Sequence, residues 1–427
     1  MHNPDLALDL GIPEHLLRFE ASHGAALARL QAVNPRAYAG TRNRLDGAVT
    51  GLSPYFTHGL LGLSDAARAV HARQPLSFED KLVFEFGWRE FFQHVWQHAG
   101  DNGDAILRDM HDTAPWHGTY ADSVPADIRE GRTGVPAIDS AIRVLYATGY
   151  LHNHARMWLA SYVVHLRKVH WRAGADWLYG HLLDGDLPSN HLSWQWVAGT
   201  FSSKPYLFNA DNVLKYAPLA QQAAWASPGS VIDQSYEALD ALARLRGDAG
   251  AEAGRHAGVD EPLLLDRFYP SFMPPSEAEQ ARPAINTIAG RNVELVHPWS
   301  LSPRTEPAQP EDIKRPWRIG IIHLPAHARW PWSERRWRFV LQAMVAVTDT
   351  VWIGDVGLLD LSAASHVSAQ ATLFPGYRQA LAAATRAGKL TPAPRLMLDP
   401  TMRCASFSKF YERVRREVGQ FPDLLAL

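Results

Sequence analysis

The sequence predicts a multidomain chain in which an all-α domain is followed by a smaller C-terminal α/β domain. Apolar residues recur at helical spacing through the first half, and short apolar runs alternate with helical patterns only after residue 316. Residues 219–315 shift toward Ala, Pro, Gly and acids. The 427 residues suffice for two or three cores. We expect an all-α domain at 1–218, a linking extension with one helix at 219–315 and an α/β domain at 316–427.

Composition and charge narrow the class of protein. The chain is 46% hydrophobic and 20% charged, with a formal charge of -2, which is typical of a globular protein but neither indicates nor excludes nucleic-acid binding. No apolar run reaches the roughly 20 residues that cross a bilayer, and the N-terminus has no basic stretch before its apolar residues. The single cysteine, Cys404, excludes an intrachain disulfide and a Cys-ligated iron–sulfur cluster. We expect a cytoplasmic protein without a membrane partner.

Helical patterns account for the first domain. Pro136 opens one of them, and the apolar residues Ile138, Ile142 and Leu145 then recur at helical spacing. No convincing strand alternation is found before about residue 290. Further helices are expected around residues 82–92, 157–164, 176–183 and 235–246.

The C-terminal part alternates between two kinds of pattern. Strands are expected at residues 317–323, 350–354 and 395–398, and helices at 333–347, 377–387 and 406–418. This alternation indicates a parallel α/β layer. It contains neither GxGxxG nor GxxxxGK[ST], so no motif supports a nucleotide site there.

A pair of carboxylates, Asp184 and Asp186, lies in the turn DGD. Such a pair suits a solvated or hydrogen-bonding turn, an acid/base pair or a metal site, although a metal held by oxygen atoms usually recruits more carboxylates than this stretch offers. A further option is that one of the two aspartates forms a bidentate pair with an arginine. Arg156, on an upstream helical segment, is the candidate partner. The residues alone leave these options open, and we predict no metal.

Histidines and tryptophans flank this turn. His152 and His154 are two residues apart, so they do not share a helix face, and we expect structural roles for them. Core packing is the default for the 15 tryptophans. Next to a polar site, however, Trp194 and Trp196 of the WQW stretch suit stacking on unpaired bases or the relay of electrons to a redox cofactor.

Several motifs carry a resemblance to a known family. Residues 133–209 contain, in order, TGVPAIDSAIRVL, TGYLHNHARM, HWRAG, DGDLPSN, WQW and PYLFN, and VTGLSPYFTHG and EFGWREFF lie upstream. Together with Tyr38 and Arg42 they make residues 25–218 resemble the FAD-binding helical domain of the photolyase/cryptochrome family. The resemblance implies FAD as the cofactor, UV-damaged DNA as the partner, and residues 1–218 as the all-α FAD-binding domain.

The resemblance also implies which residues contact the cofactor. Tyr38, Thr50 and Ser53 would hold the diphosphate and ribityl region, Arg156 would lie beside the isoalloxazine paired to Asp184, and Asn190 would face the flavin N5. The complete set implied for the cofactor is Tyr38, Thr50, Gly51, Leu52, Ser53, Arg89, Tyr150, Asn153, Arg156, Asp184, Asp186, Leu187 and Asn190.

The resemblance also implies which residues contact the DNA lesion, which transfer electrons and which contact the DNA backbone. The residues implied for a pocket that receives a flipped pyrimidine dimer are Glu85, Trp88, Asn153, Met157, Asn190 and Trp196. Trp194 and Trp171 match the inner and middle members of the family's tryptophan chain, and Trp116, with Tyr120 as a substitute, is the candidate outer member. Arg42, His154 and Lys204 are the implied DNA contacts.

The sequence departs from the family pattern in ways that bear on DNA. His154 replaces an arginine and PYLFN lacks one, which weakens the expected phosphate contacts; Lys204 would compensate. Leu82 and Tyr150 replace tryptophans. We expect the family's N-terminal antenna domain to be missing or moved. Residues 316–427 are accordingly interpreted as a permuted antenna-like domain or an unrelated α/β appendage, with no signature of a second chromophore.

The implied activity is that of a lyase that repairs cyclobutane pyrimidine dimers by blue-light-driven electron transfer from reduced FAD. Two alternatives remain: a cryptochrome-like photoreceptor without repair activity, and a six-four photoproduct photolyase, which His152 and His154 weakly support.

Overall fold

The computed structural model describes residues 5–99, 109–110, 120–245, 258–268, 285–304, 315–385 and 390–426. Within these ranges the α-helices, labelled α1 to α20 in chain order, are Asp5–Asp9, His23–Gln31, Pro35–Thr41, Ser53–Thr57, Leu63–Arg73, Lys81–Gln97, Ala126–Arg129, Pro136–Thr148, Asn153–Ser161, Trp171–His181, Leu187–Ala198, Ala210–Tyr216, Gln222–Trp225, Tyr236–Arg244, Ile285–Ile288, Leu324–Arg329, Glu334–Val347, Tyr377–Ala384, Phe407–Val418 and Phe421–Ala426. The strands β1 to β7 are Leu264–Leu265, Asn292–Val296, Trp317–His323, Trp332–Ser333, Thr350–Gly354, His366–Gln370 and Leu390–Thr391.

None of the helices in these described ranges is both long and apolar enough to cross a membrane.

The chain divides into two compact units that interleave in sequence. The first comprises Met1–Phe19, Asn34–Gly51 and Ala105–Leu263, and the second comprises Glu20–Val33, Leu52–Asp104 and Leu264–Leu427. This partition differs from the linear division into 1–218, 219–315 and 316–427, because residues of the predicted helical domain group with the C-terminal part.

The first unit is built around helices that are buried on nearly every side. Almost every residue of α8 is buried; the helix opens with Pro136 in its first turn and ends at Gly149, whose φ of 70° is a left-handed conformation that glycine adopts without strain. The helix predicted after Pro136 is therefore confirmed. The helix predicted at 176–183 begins earlier, at Trp171, where the His170 ring accepts a hydrogen bond from Arg172 N.

Helices α10 and α11 approach each other closely at a glycine. A Cβ placed on Gly174 of α10 would lie 2.3 Å from Cζ3 of Trp194 in α11, and the Trp194 ring is itself buried. No side chain larger than hydrogen fits here without movement of the indole. Gly174 therefore sets the spacing of the two helices that carry the turn DGD between them.

The second unit contains a five-stranded parallel sheet with the order β5-β3-β2-β6-β7. The predicted parallel α/β layer is confirmed, and β3 and β5 have the bounds expected from their apolar runs. Strands β2 and β6 were not predicted. The sequence of β6, HVSAQ, has a low β-propensity, so its strand conformation depends on pairing with β2 and β7.

The strand expected at 395–398 is wrong. Leu396 and Met397 are consecutive and both buried, whereas a strand with one covered face would alternate. The segment is instead fixed by Glu90, which accepts hydrogen bonds from the Arg395 guanidinium and from Leu396 N. The last strand of the sheet is Leu390–Thr391, which was not predicted.

Helix α19, the second-last helix, packs its aromatic face on α6 within the second unit. Ser406 caps α19 by accepting from Lys409 N, which confirms the helix expected at 406–418. Phe407 stacks on Trp88 with ring centroids 4.1 Å apart, and Tyr411 donates to Phe78 O at 2.7 Å. These aromatic contacts explain why residues 52–104 group with the C-terminal part.

We predict that Gly174→Ala destabilises the chain by about 1–3 kcal/mol, because the added methyl group overpacks the contact with the Trp194 ring. The matched control is Gly40→Ala, a helical position of the same unit where a Cβ meets no atom within 4 Å and where alanine is favoured by about 0.5–1 kcal/mol. Urea unfolding measures both variants. Equal free energies of unfolding of the two variants would show that the close approach of Gly174 to the Trp194 ring does not constrain the fold.

Candidate functional site

A guanidinium and a carboxylate form the centre of the candidate site. Nη2 of Arg156 donates to both carboxylate oxygens of Asp184, at 3.0 and 2.8 Å, and Nε donates to Leu151 O at 2.7 Å. The guanidinium also lies 5.4 Å from the ring centroid of Tyr150. The predicted pairing of Arg156 with Asp184 is confirmed. Because the Asp184 side chain is only 3% exposed, removing the arginine would leave a buried negative charge.

These bonds leave Nη1 of Arg156 out of the pairing with Asp184 and Leu151. A guanidinium held by two acceptors on one side presents its remaining donors in a fixed direction. The Arg156 side chain is 25% exposed. The arrangement offers a positive charge with a defined orientation to a ligand.

Helix α9 adds two neighbours to Arg156. Arg156 and Met157 lie three and four residues after Asn153, which places both of them beside Asn153 on one helix face. Asn153 is exposed and the other two are half-buried, and Asn153 Nδ2 lies 3.5 Å from Met157 Sδ. This face therefore combines an amide, a cation and a polarisable thioether.

The turn DGD uses its two aspartates differently. Asp186 caps helix α11 by accepting from Ser189 N at 3.1 Å and from the Ser189 hydroxyl, whereas Asp184 accepts from Arg156. Among the residues that the structure describes, the histidine and carboxylate cluster with metal-like spacing is His94, His98 and Asp399, and it includes neither aspartate. Of the options left open by the sequence, the structure realises the hydrogen-bonding turn and the arginine partner.

Asn190 and Leu187 lie on the first turns of α11. Asn190 Nδ2 donates to Ala175 O at 2.8 Å, and since a backbone carbonyl only accepts, the amide nitrogen must be the atom that faces Ala175. Leu187 is buried, as is Tyr150. The side-chain oxygen of Asn190 is thereby directed away from α10.

Desolvation disfavours the charged, protonated form of both histidines in the HNH stretch. Desolvation lowers the pKa of His152 to about 3 and that of His154 to about 4. His152 accepts from His154 N through Nδ1 and donates through Nε2 to Arg42 O at 3.0 Å, so its structural role is confirmed. The His154 ring packs 4.5 Å from Tyr216. A neutral, packed His154 does not favour the predicted contact with a DNA phosphate.

The remaining predicted DNA contacts are accessible. Lys204 is exposed and Arg42 is half-buried. Trp196 is half-buried too, with its ring 5.8 Å from that of Tyr206.

Two of the three tryptophans predicted for electron transfer lie among the described residues. Trp171 and Trp194 are both buried, and the Trp194 ring lies against Gly174, three residues after Trp171 in α10. Trp116 lies outside the described residues. Its predicted substitute Tyr120 is buried, and burial raises its pKa to about 12.

The cofactor residues upstream are divided between the two units. Tyr38, Thr50 and Gly51 belong to the first unit, where Tyr38 and Thr50 are half-buried and Gly51 has a φ of 61°. Leu52 and Ser53 belong to the second, and Ser53 begins α4.

Three predicted residues follow one another on α6 in the second unit. Glu85, Trp88 and Arg89 are all half-buried. The indole plane of Trp88 is within 7° of the Phe407 ring plane, so Phe407 covers one face of the tryptophan.

Sequence reasoning missed two contacts around the predicted residues. Phe407 covers Trp88, and no local pattern could have indicated this pairing because the two residues are far apart in the chain. His191 is the other: its Nε2 lies 2.7 Å from Asp176 Oδ1. Its position directly after Asn190 was the available signal.

Part of the chain is similar to known proteins. Residues 82–245 match the family model described as the FAD binding domain of DNA photolyase. The chain is 34% identical over 192 residues to a deoxyribodipyrimidine photo-lyase of Synechococcus sp., covering 42% of this chain and 39% of that protein. It is 37% identical over 192 residues to the photo-lyase of Thermus thermophilus, covering 45% of each chain.

The similar proteins include one named as a cryptochrome as well as those named as photo-lyases. A cryptochrome DASH of Gloeobacter violaceus is 31% identical over 237 residues, covering 50% of this chain and 45% of that protein. Among solved structures, a bacterial class III photolyase from Agrobacterium tumefaciens aligns with a TM-score of 0.44 and 24% identity, over 56% of this chain and 52% of that chain.

The chain thus spans less than half the length of these curated relatives. The matched segment contains Arg156, Asp184 and Asn190, the residues whose geometry was derived above. Residues 82–245 are therefore an FAD-binding domain of the photolyase/cryptochrome family, and FAD is its cofactor.

Proposed function

We propose that the protein uses reduced FAD and blue light to repair cyclobutane pyrimidine dimers in DNA. The observation that carries the proposal is the pairing of Arg156 with the buried Asp184, together with the oriented amide of Asn190, inside a segment that matches an FAD-binding domain. The proteins similar to this chain include several named deoxyribodipyrimidine photo-lyase.

The donor set fits a flavin. Reduced flavins carry negative charge on the ring, which a fixed guanidinium stabilises, and Asp184 holds Arg156 in one orientation. When bound, FAD supplies the light absorption and the electron that opens the cyclobutane ring. Arg156 would lie beside the ring, Asn190 would hold a proton at N5 through its side-chain oxygen, and Tyr38, Thr50 and Ser53 would hold the diphosphate region.

The proposed lesion contacts use an accessible surface and aromatic rings. Asn153 and Met157 lie on the same face of α9 as Arg156, so a base received there would be close to the guanidinium. Trp88 and Trp196 would stack on the flipped bases and Glu85 would hydrogen-bond them. Lys204 and Arg42 would contact the DNA backbone.

A photoreceptor without repair activity is the second candidate, and one observation favours it. Phe407 of α19 stacks on Trp88 with an interplanar angle of 7°, so a face of the proposed lesion-stacking ring is already covered. For six-four repair, by contrast, desolvation lowers the pKa of both supporting histidines, the buried His152 and the half-buried His154, so we do not propose that activity.

We predict that Arg156→Lys weakens FAD binding about tenfold, because lysine keeps the charge but not the fork that spans Asp184 and Leu151 O. Titration of the apo-protein with FAD measures the dissociation constant. Arg244→Lys is the control, since that arginine pairs with Asp240 on an exposed helix face. Equal FAD affinity in both variants would remove Arg156 from the site.

We predict that Trp194→Phe slows photoreduction of the bound flavin at least tenfold, because phenylalanine is much harder to oxidise than tryptophan. The bleaching of oxidised FAD under blue light measures the rate. Trp225→Phe is the control, as Trp225 is a fully buried tryptophan of the same unit that donates to Leu10 O. An unchanged rate in Trp194→Phe would exclude Trp194 from the relay.

We predict that illumination of the reduced protein with a thymine-dimer oligonucleotide removes the dimers, while a six-four oligonucleotide is unchanged. Chromatography of the illuminated DNA measures both, with dark samples as the control. If the flavin photoreduces and the dimers persist, the photoreceptor is the correct alternative.

A further inference from the structure

The amide of Asn190 is held from two directions. Nδ2 donates to Ala175 O at 2.8 Å and lies 3.4 Å from Nδ1 of His191, a longer and weaker contact. A primary amide has two N–H groups, so each can be directed to one of these acceptors. Both anchors therefore act on the nitrogen, and the oxygen remains for a ligand.

His191 can accept from Asn190 only in one tautomer, and Asp176 selects it. Nε2 of His191 lies 2.7 Å from Asp176 Oδ1. A carboxylate only accepts, so Nε2 carries a hydrogen, and Nδ1, which faces the donor Nδ2 of Asn190, uses its lone pair to accept. The His191 side chain is 7% exposed, whereas the Asp176 side chain is 44% exposed. A partly exposed carboxylate on α10 thus orients a buried ring on α11.

The ring of His191 has further restraints. It lies edge-to-face with Trp171, at a centroid distance of 6.2 Å, and with Tyr179, at 6.3 Å. These aromatic contacts limit rotation of the imidazole. The side chains of Asp176, His191 and Asn190 therefore form a series of contacts within the first unit, and each contact restrains the orientation of the next side chain.

We propose that Asp176 and His191 are positioning residues that fix the Asn190 amide with its oxygen toward the flavin N5. This inference rests on the proposed function in placing Asn190 opposite N5. An amide oxygen only accepts, so it stabilises a flavin that carries hydrogen on N5 and offers nothing to oxidised N5, which is itself an acceptor. The consequence is a bias of the bound flavin toward its reduced form.

A purely structural role is the rival explanation. The bond between Asp176 and His191 also ties α10 to α11, and its loss would lower stability whatever the flavin does. The midpoint potential of the bound FAD separates the two roles, because it compares two states of the same folded protein. Loss of stability alone would leave it unchanged.

The experiment is a spectroelectrochemical titration of FAD bound to the full chain and to five variants. His191→Phe keeps ring size without an acceptor, Asp176→Ala frees the tautomer, and Asp176→Asn keeps an oxygen for Nε2. Asn190→Ala is the reference. His181→Phe is the matched control, because His181 is also buried in the first unit and has its Nε2 3.3 Å from a carboxylate oxygen of Glu261.

We expect His191→Phe and Asp176→Ala to shift the reduction equilibrium up to about tenfold toward oxidised FAD, which is about 30 mV for a two-electron couple. Asp176→Asn and His181→Phe should retain the wild-type potential. If His191→Phe does not fold, Asp176→Ala, which alters a partly exposed side chain, carries the test.

Each contrary outcome has a separate meaning. An unchanged potential in Asn190→Ala would show that Asn190 does not face N5, and the proposed site would be wrong. A shift in Asn190→Ala without one in His191→Phe and Asp176→Ala would overturn the positioning role alone. An equal shift in His181→Phe would also overturn it, because general loosening would then explain the change.

Discussion

The contact on which the site depends is the bond between Arg156 and the buried carboxylate of Asp184. Asp184 lies in the turn between α10 and α11, and Arg156 lies on α9, so one charge pair joins three helices of the first unit. A buried carboxylate is tolerated because the guanidinium and its further bond to Leu151 O fix the geometry. Only with this bond in place is the positive charge of Arg156 held in a defined direction, as the proposed flavin site requires.

The packing of α10 against α11 determines the rest of the site. Gly174 permits the close approach of Trp194, Ala175 O accepts from Asn190, and the partly exposed Asp176 orients His191. Three successive residues of α10 thus contact Trp194, which is the proposed relay tryptophan, the amide proposed to face N5, and the ring that contacts that amide. Flavin binding, photoreduction and the redox bias that we infer would therefore all be sensitive to the spacing of this helix pair.

The sequence predicted those parts of the fold that short-range physics controls. Apolar runs gave β3 and β5 with their observed bounds, and the helix expected at 406–418 begins where Ser406 caps it. Strand β6 was missed because HVSAQ becomes a strand only through its neighbours, and 395–398 was wrong because side-chain bonds to Glu90 fix that segment. In the site, the motifs indicated the pair Arg156 and Asp184. The stack of Phe407 on Trp88 was beyond sequence reasoning, since it depends on tertiary packing between distant helices.

The most direct test of this account is a crystal structure of the chain with FAD bound. The account predicts the isoalloxazine within hydrogen-bonding distance of the Arg156 guanidinium, with the Asn190 oxygen directed at N5. A flavin bound away from Arg156, or an Asn190 amide that turns its nitrogen toward N5, would contradict it.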